Sequence, residues 1–341
     1  MRILVIAPSW IGDAVLAQPL FKRLHSKFPN LVLDVLAPSW VQPVFKFMKE
    51  VNSTHITPYD HGELKLMAQL KLAKDLSQNN YDQAIVLPNS FKSALIPFFA
   101  RIPTRVGFLG EMRYGLLNKI HRLDKKELPL MAERFAQLAE EPGVKRVGVL
   151  PSPQLSVDKS AQQIALNQLG LTMKLPVAIF CPGAEYGPAK RWPASYFAEL
   201  AAKLKQQGHQ IWLLGSANDR SIGDEIEKQN TDACVNLCGK TDLQQAIALI
   251  SLATVVVSND SGLMHIAAAL NRPLIALFGS SSPRFTPPLS AQARVLTLNL
   301  ECSPCFARTC PLGHFKCMND LTPQQVLKEV HSISPTTRDL N

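Results

Sequence analysis

No uninterrupted apolar run of about 18 residues occurs in this 341-residue chain, so no segment reads as a membrane span. The amino terminus lacks the long apolar core and small-residue cleavage site of a signal peptide. Met1-Arg2-Ile3-Leu4-Val5-Ile6-Ala7-Pro8 has one charged side chain and a short apolar run closed by proline, and reads as a buried first strand. The expected location is the cytosol. Cysteine is scarce, with seven residues, which excludes a disulfide scaffold. No five like charges stand in a row and no basic ribbon is interleaved with aromatics, so nucleic acid is not the expected partner. G-x-G-x-x-G does not follow the first strand, which disfavours a nicotinamide or flavin cofactor. Nor does a D-x-D pair follow any strand, although enzymes that hold a nucleotide diphosphate through a divalent ion usually supply one.

What is present is a chain rich enough in apolar residues, 46 %, to build real cores. At roughly 100–200 residues per domain, its length implies two domains. The net charge of +9 is uneven: residues 1–150 hold 20 Lys and Arg against 13 Asp and Glu, and the remainder 16 against 14. The segment 92–126 alone has eight cations, Lys92 and Arg113 among them, against Glu111 and Asp124. That excess is either a solvated basic face or a field that attracts an anionic partner.

Short β-branched runs alternate with amphipathic stretches, the pattern of βαβ units and a parallel sheet covered on both faces. Strands are expected at Ile3–Ala7, Leu31–Ala37, Gln83–Leu87 and Arg105–Phe108, with one helix over Asp13–Lys27. Ala-Pro-Ser-Trp occurs at 7–10 and again at 37–40, two similar strand exits. The alternation breaks over 142–160, where Pro142, Gly143, Pro151 and Pro153 mark a linker, and restarts at Val177–Cys181. The expected architecture is α/β: two Rossmann-like, doubly wound domains, 1–155 and 156–322, facing a central cleft. A terminal helix and tail, 323–341, is expected to pack back on the first domain. In such sheets ligands sit beyond the carboxyl ends of the strands.

The strand-exit loops hold the chemistry. After the first strand, Gly12 allows a sharp turn, and Asp13 is either an N-cap or a carboxylate offered as a general base. In Ser258-Asn259-Asp260-Ser261-Gly262-Leu263-Met264-His265 a polar turn opens directly into a helix. Ser261 or Asp260 can cap that helix, free amides can meet an anion, and His265 shares a face with Ser261. The loop 181–193 ends in Lys190 and Arg191, cations suited to a diphosphate leaving group. Ser216 and Asp219 lie in a fourth, small-residue exit.

These motifs, with Leu87-Pro88-Asn89-Ser90-Phe91-Lys92-Ser93-Ala94, resemble the ADP-heptose:lipopolysaccharide heptosyltransferases, a metal-independent GT-B glycosyltransferase family, across essentially 1–330. The resemblance implies inverting transfer of L-glycero-D-manno-heptose from ADP-heptose to the anionic heptosyl-Kdo2-lipid A acceptor at the cytoplasmic face of the inner membrane. First-heptose transfer, another GT-B transferase or epimerase, or a non-catalytic sugar-phosphate binding protein are the alternatives. It implies Asp13 as base and Lys190 as the diphosphate-binding cation. Gly183, Ala184, Glu185, Ser216, Asp219, Asp260, Ser261, Gly262 and His265 would hold the donor. Ser9, Gly12, Asn89, Ser90, Lys92 and Arg113 would hold the acceptor. No cofactor is required for this chemistry.

One cluster stands outside that reading. Cys302, Cys305, Cys310 and Cys317, with His314 among them, fall within sixteen residues. They could form a structural zinc site of four thiolates, or of three thiolates and an imidazole. They could equally be a reduced loop braced by proline, or redox-sensitive thiols.

Overall fold

The computed structural model describes residues 1–58, 65–144, 148–230 and 234–333. The chain divides into two compact units, Met1–Pro153 and Gln154–Asn341. The first is built on strands β1 (Arg2–Ile6), β2 (Val32–Ala37), β3 (Ser53–Ile56), β4 (Gln83–Val86), β5 (Thr104–Phe108) and β6 (Lys119–His121). They are all parallel, in the order β3-β2-β1-β4-β5-β6. The helices between them are α1 (Ile11–Leu16), α2 (Gln18–Lys27), α3 (Gln42–Phe45), α4 (Leu66–Ser77), α5 (Leu95–Phe99) and α6 (Met131–Gln137).

The single helix expected over Asp13–Lys27 is two. Pro19 has no amide hydrogen and its ring crowds the preceding turn, so the chain breaks at Ala17 and restarts with proline in the first turn of α2. The central strands are apolar on both faces because helices cover both: Ile3, Leu4 and Val5 of β1 are fully buried. Asp34 is the exception within β2. Burial pushes its pKa up, but hydrogen bonds from Asn52, Ser53 and Tyr81 outweigh that and hold it below the ordinary carboxylate value.

The second unit repeats the design with β7 (Val177–Cys181), β8 (Gln210–Leu213), β9 (Cys234–Asn236), β10 (Val255–Asn259), β11 (Leu274–Leu277) and β12 (Ala293–Leu296). Its order is β12-β11-β10-β7-β8-β9, with β7 at the centre as β1 is in the first sheet. The helices are α7 (Lys159–Gln168), α8 (Ala194–Gln206), α9 (Arg220–Gln229), α10 (Leu243–Ile250), α11 (Gly262–Ala269), α12 (Lys316–Asn319) and α13 (Pro323–Ile333). Trp192 anchors the core, edge-on to Phe197 and donating its indole N–H to the Leu321 carbonyl at 2.7 Å.

Two expectations need correction. The helix at 323–333 belongs to the second unit: Val326 and Val330 are buried in the core cluster that includes Leu200 and Leu204 of α8. Its apolar face is therefore already covered there, and residues 334–341 of the expected tail lie outside the described residues. The edge strands β3, β6, β9 and β12 were not expected. Each has three or four residues and mixes polar with apolar side chains, as an edge open to water permits.

Candidate functional site

In both sheets strand order reverses direction beside the first strand, between β1 and β4 and between β7 and β10. A doubly wound sheet opens a crevice at such a switch point, past the carboxyl ends of the two strands. The motifs singled out in sequence fall there: residues 8–13 and 87–92 in the first unit, 182–190 and 259–262 in the second.

In the second unit the β7 and β10 exits are joined. Lys190 Nζ lies 2.5 Å from Asp260 Oδ2, and the same oxygen accepts the Ser281 hydroxyl at 2.5 Å. Asp260 is almost fully buried and Lys190 half-buried, so the ion pair is sheltered from water. Asn259 locks the two loops from below: its side chain donates to the Pro182 carbonyl at 2.7 Å and accepts the Trp192 amide at 3.1 Å. Tyr186 stands beside Lys190, whose ammonium is 5.2 Å from the ring centre, and the Arg308 guanidinium lies 5.3 Å from the same ring.

Ser261 is the N-cap of α11 by backbone geometry, but its side chain caps nothing; its hydroxyl is 3.3 Å from that of Ser258. Neither expected cap is made, since the Asp260 carboxylate is engaged by Lys190 and Ser281. The first-turn amides from Gly262 onward are thus left to face an anion, with the helix dipole behind them. His265 is buried beneath this turn. Burial pushes its imidazole down to about 4, with Asp260 pulling up and Lys190 pushing down. It is neutral near pH 7 and not a cation for phosphate.

Gly183 is packed so closely on Asp219 that a methyl group there would sit 2.2 Å from the carboxylate carbon. Asp219 is held by its own turn. It is buried, and its Oδ2 accepts the Ser216 amide at 2.9 Å and the Ser216 hydroxyl at 2.8 Å, while Arg191 lies 3.8 Å from Oδ1. Its Oδ2 closes the strand-exit turn, while its Oδ1 accepts no hydrogen bond among the described residues. Glu185 is exposed, 3.3 Å from the Asn218 amide, and the Ala184 carbonyl is 3.4 Å from the Arg191 guanidinium.

In the first unit Asp13 is not an N-cap. Trp10 holds that position, and Asp13 lies half-buried in the first turn of α1 beside Gly12. The Ser9 carbonyl accepts the Trp40 indole N–H at 3.0 Å, tying the two Ala-Pro-Ser-Trp exits together. Trp10 and Trp40 are 51 % and 40 % exposed, large aromatic surface for a loop edge. Asn89 is exposed, and Ser90 and Lys92 are half-buried.

Arg113 corrects an expectation. It is fully buried and donates to the carbonyls of Pro88 at 2.7 Å and Phe108 at 2.6 Å, to that of Ser90 at 3.3 Å and to the Ser93 hydroxyl at 3.2 Å. Burial lowers its pKa, yet these acceptors hold it in place. It braces the Asn89–Ser90 loop from within and is not a surface grip for an anion. Arg105 likewise donates to the carbonyls of Leu116 and Ile102, and Lys119 pairs with Glu141. The basic surplus of 92–126 is therefore partly internal.

Sequence reasoning passed over Ser281, Tyr186, Arg308 and the locking role of Asn259. The Gly279-Ser280-Ser281-Ser282 run directly after β11 was the available signal for the first. Nothing local marks Arg308, which reaches the site only through the fold.

Two doubly wound units with diphosphate-type features at a switch point define a GT-B glycosyltransferase. The chain belongs to glycosyltransferase family 9 (heptosyltransferase), whose model matches residues 69–316. It is 48 % identical over 342 residues to lipopolysaccharide heptosyltransferase 2 of Escherichia coli K12, covering 98 % of each chain. It is 44 % identical to lipooligosaccharide heptosyltransferase 2 of Haemophilus influenzae, covering 98 % of this chain and 99 % of that one. The solved structure of E. coli ADP-heptose lps heptosyltransferase II superposes with a TM-score of 0.88 at 44 % identity, over 100 % of both chains.

Proposed function

We propose that this chain transfers L-glycero-D-manno-heptose from ADP-heptose to the first heptose of the lipopolysaccharide inner core, with inversion at the anomeric carbon. The observation that carries this reading is the Lys190–Asp260 pair set beside the uncapped amides of α11. The names of the similar proteins support the choice of donor and acceptor.

The second unit holds the donor. Lys190 has three N–H donors and only one is directed at Asp260, so the others are available to the diphosphate. Asp260 keeps that ammonium aimed, and its Oδ1 accepts a sugar hydroxyl. The first-turn amides of α11 meet a phosphate oxygen. In the first unit the acceptor hydroxyl attacks the anomeric carbon as the carbon–oxygen bond to the diphosphate breaks. The bonding pair leaves with ADP, and Asp13 takes the hydroxyl proton. Charge builds on ADP, where fixed cations and amides stabilise it without a metal ion.

The acceptor is an anionic glycolipid, so we place the enzyme at the cytoplasmic face of the inner membrane as a peripheral protein. Among the described residues no helix is long and apolar enough to cross a membrane. Exposed Trp10, Trp40 and Phe91 at the β1, β2 and β4 exits, with Lys92, suit a ligand that joins sugars and phosphates to acyl chains. The test is incubation with ADP-heptose and acceptors ending in Kdo or in the first heptose, with products identified by mass spectrometry. Addition of one heptose to the heptose-terminated acceptor is expected. Transfer only to the Kdo-terminated acceptor, or to neither, overturns the reading.

A further inference from the structure

Between β12 and α13 the chain passes through Cys302, Cys305, Cys310 and Cys317, none of them in a disulfide. All four line one cavity of about 20 Å³, together with His314. That is room for a body the size of one water molecule or one metal ion. The other three cysteines behave differently: Cys181, Cys234 and Cys238 are buried in the core of the second unit, as small apolar groups. Four sulfurs around one void are the donor set of a soft cation, and no carboxylate lines the cavity to suit a hard one.

The backbone is shaped to the same end. The Cys310 carbonyl accepts the Gly313 amide at 3.1 Å, closing a tight turn between Cys310 and Cys317. His314 Nδ1 accepts the Lys316 amide at 3.0 Å, and Asn319 donates to the His314 carbonyl at 3.1 Å, fixing the turn that presents Cys317. Phe306 and Phe315 have φ of 55° and 50°, a conformation that is strained for a non-glycine residue. The loop that bears this strain has little apolar packing of its own: Phe306 and Leu312 are 53 % and 61 % exposed. A cross-link would offset both costs.

We propose that Cys302, Cys305, Cys310 and Cys317 bind one zinc or iron(II) ion as a closed four-thiolate site. Binding displaces the thiol protons and leaves no open coordination position, so the role is structural. Among the described residues no three His, Cys, Asp or Glu side chains are yet gathered tightly enough to cage an ion. The thiols must therefore turn inward across the cavity, to about 2.3 Å from its centre.

The cavity shows what such an ion would hold. Ala189 and Ser280 form part of its wall, next in sequence to Lys190 and Ser281. The Arg308 carbonyl accepts the Ala189 amide at 3.0 Å, the Phe306 carbonyl accepts the Tyr186 hydroxyl at 2.7 Å, and the Phe306 amide donates to the Ser280 carbonyl at 2.7 Å. The metal knuckle fixes the loop that places Lys190. This bracing role rests on the proposed donor site; the metal site does not.

The test is elemental analysis of the full-length protein, purified without chelators from cells grown in zinc- or iron-supplemented medium. About one equivalent of zinc or iron per chain is expected, released by an organomercurial as the four thiols react, and below about a tenth of an equivalent in Cys305→Ser/Cys310→Ser. The wild-type measurement stands even where that variant fails to fold. Less than about a tenth of an equivalent in wild type from both media, wild-type metal content in the folded variant, or two disulfides in place of metal would each overturn the site. Metal release is expected to raise the KM for ADP-heptose about tenfold and leave the acceptor KM unchanged. An unchanged donor KM after release overturns the bracing role alone.

Discussion

Lys190 and Asp260, seventy residues apart in sequence, stand 2.5 Å apart where the β7 and β10 exits meet. Removing the cation leaves a nearly buried carboxylate that still accepts the Ser281 hydroxyl but has lost its counter-charge, and an anion-repelling charge at the proposed diphosphate position. Lys190→Ala is therefore expected to lower kcat/KM for ADP-heptose by about 10²–10³. The double variant with Asp260→Asn should lose less than the sum of the two single losses. Steady-state kinetics on the three variants checks this, and strict additivity would sink the coupling.

His265 ties stability to pH. Its pKa of about 4 in the folded chain is depressed, chiefly by burial, below the unfolded value of about 6.5. As pH falls below 6.5 the unfolded chain takes up the proton first, so stability declines from pH 6.5 toward 4 and is fully present above that window. The loss totals about 3 kcal/mol over the window. Urea denaturation of wild type and His265→Gln at pH 7, 5.5 and 4.5 measures it. The gap between the two proteins should close as pH falls, and a pH-independent gap counts against the assignment.

Arg113 was expected on the surface and is found inside, which turns a kinetic prediction into a thermodynamic one. Arg113→Ala removes the donor shared by the Pro88, Ser90 and Phe108 carbonyls; the Ser93 hydroxyl still serves the first two, and the Phe108 carbonyl loses its guanidinium partner. A loss of about 1–3 kcal/mol in unfolding free energy is expected. Lysine cannot reproduce the fork and should rescue little. Chemical denaturation decides this; a stable variant with only a raised acceptor KM would restore the surface reading.

The contrast between Arg113 and Asp260 shows how much local sequence carries. The strand-exit motifs were legible because a buried parallel strand is a continuous apolar run, and the chain must turn where that run ends. The strand exits that bear Asp13, Lys190 and Asp260 could be placed from that punctuation, whereas the switch points follow from a strand order set by the whole fold. Arg113 could not be placed, because a charge count has no term for carbonyls supplied by Pro88 and Phe108 from neighbouring strand exits. Arg308 was invisible, since its contact with Tyr186 joins distant parts of the chain and depends on the cysteine loop folding back.

Asp13 carries the sharpest prediction about chemistry. It sits in the first turn of α1, and Trp10 rather than Asp13 occupies the cap position. Its replacement should therefore leave the helix cap in place and remove the proton acceptor. Asp13→Asn keeps the size and one acceptor oxygen but cannot take the hydroxyl proton at neutral pH. Turnover is expected to fall by about 10²–10⁴, the usual worth of general-base help. ADP-heptose affinity, measured by calorimetry, and the thermal midpoint should stay at wild-type values, because the donor is assigned to the second unit. A variant that loses donor binding in parallel with turnover would place Asp13 in the binding of ADP-heptose, and the base would have to be sought elsewhere in the first unit's exit loops.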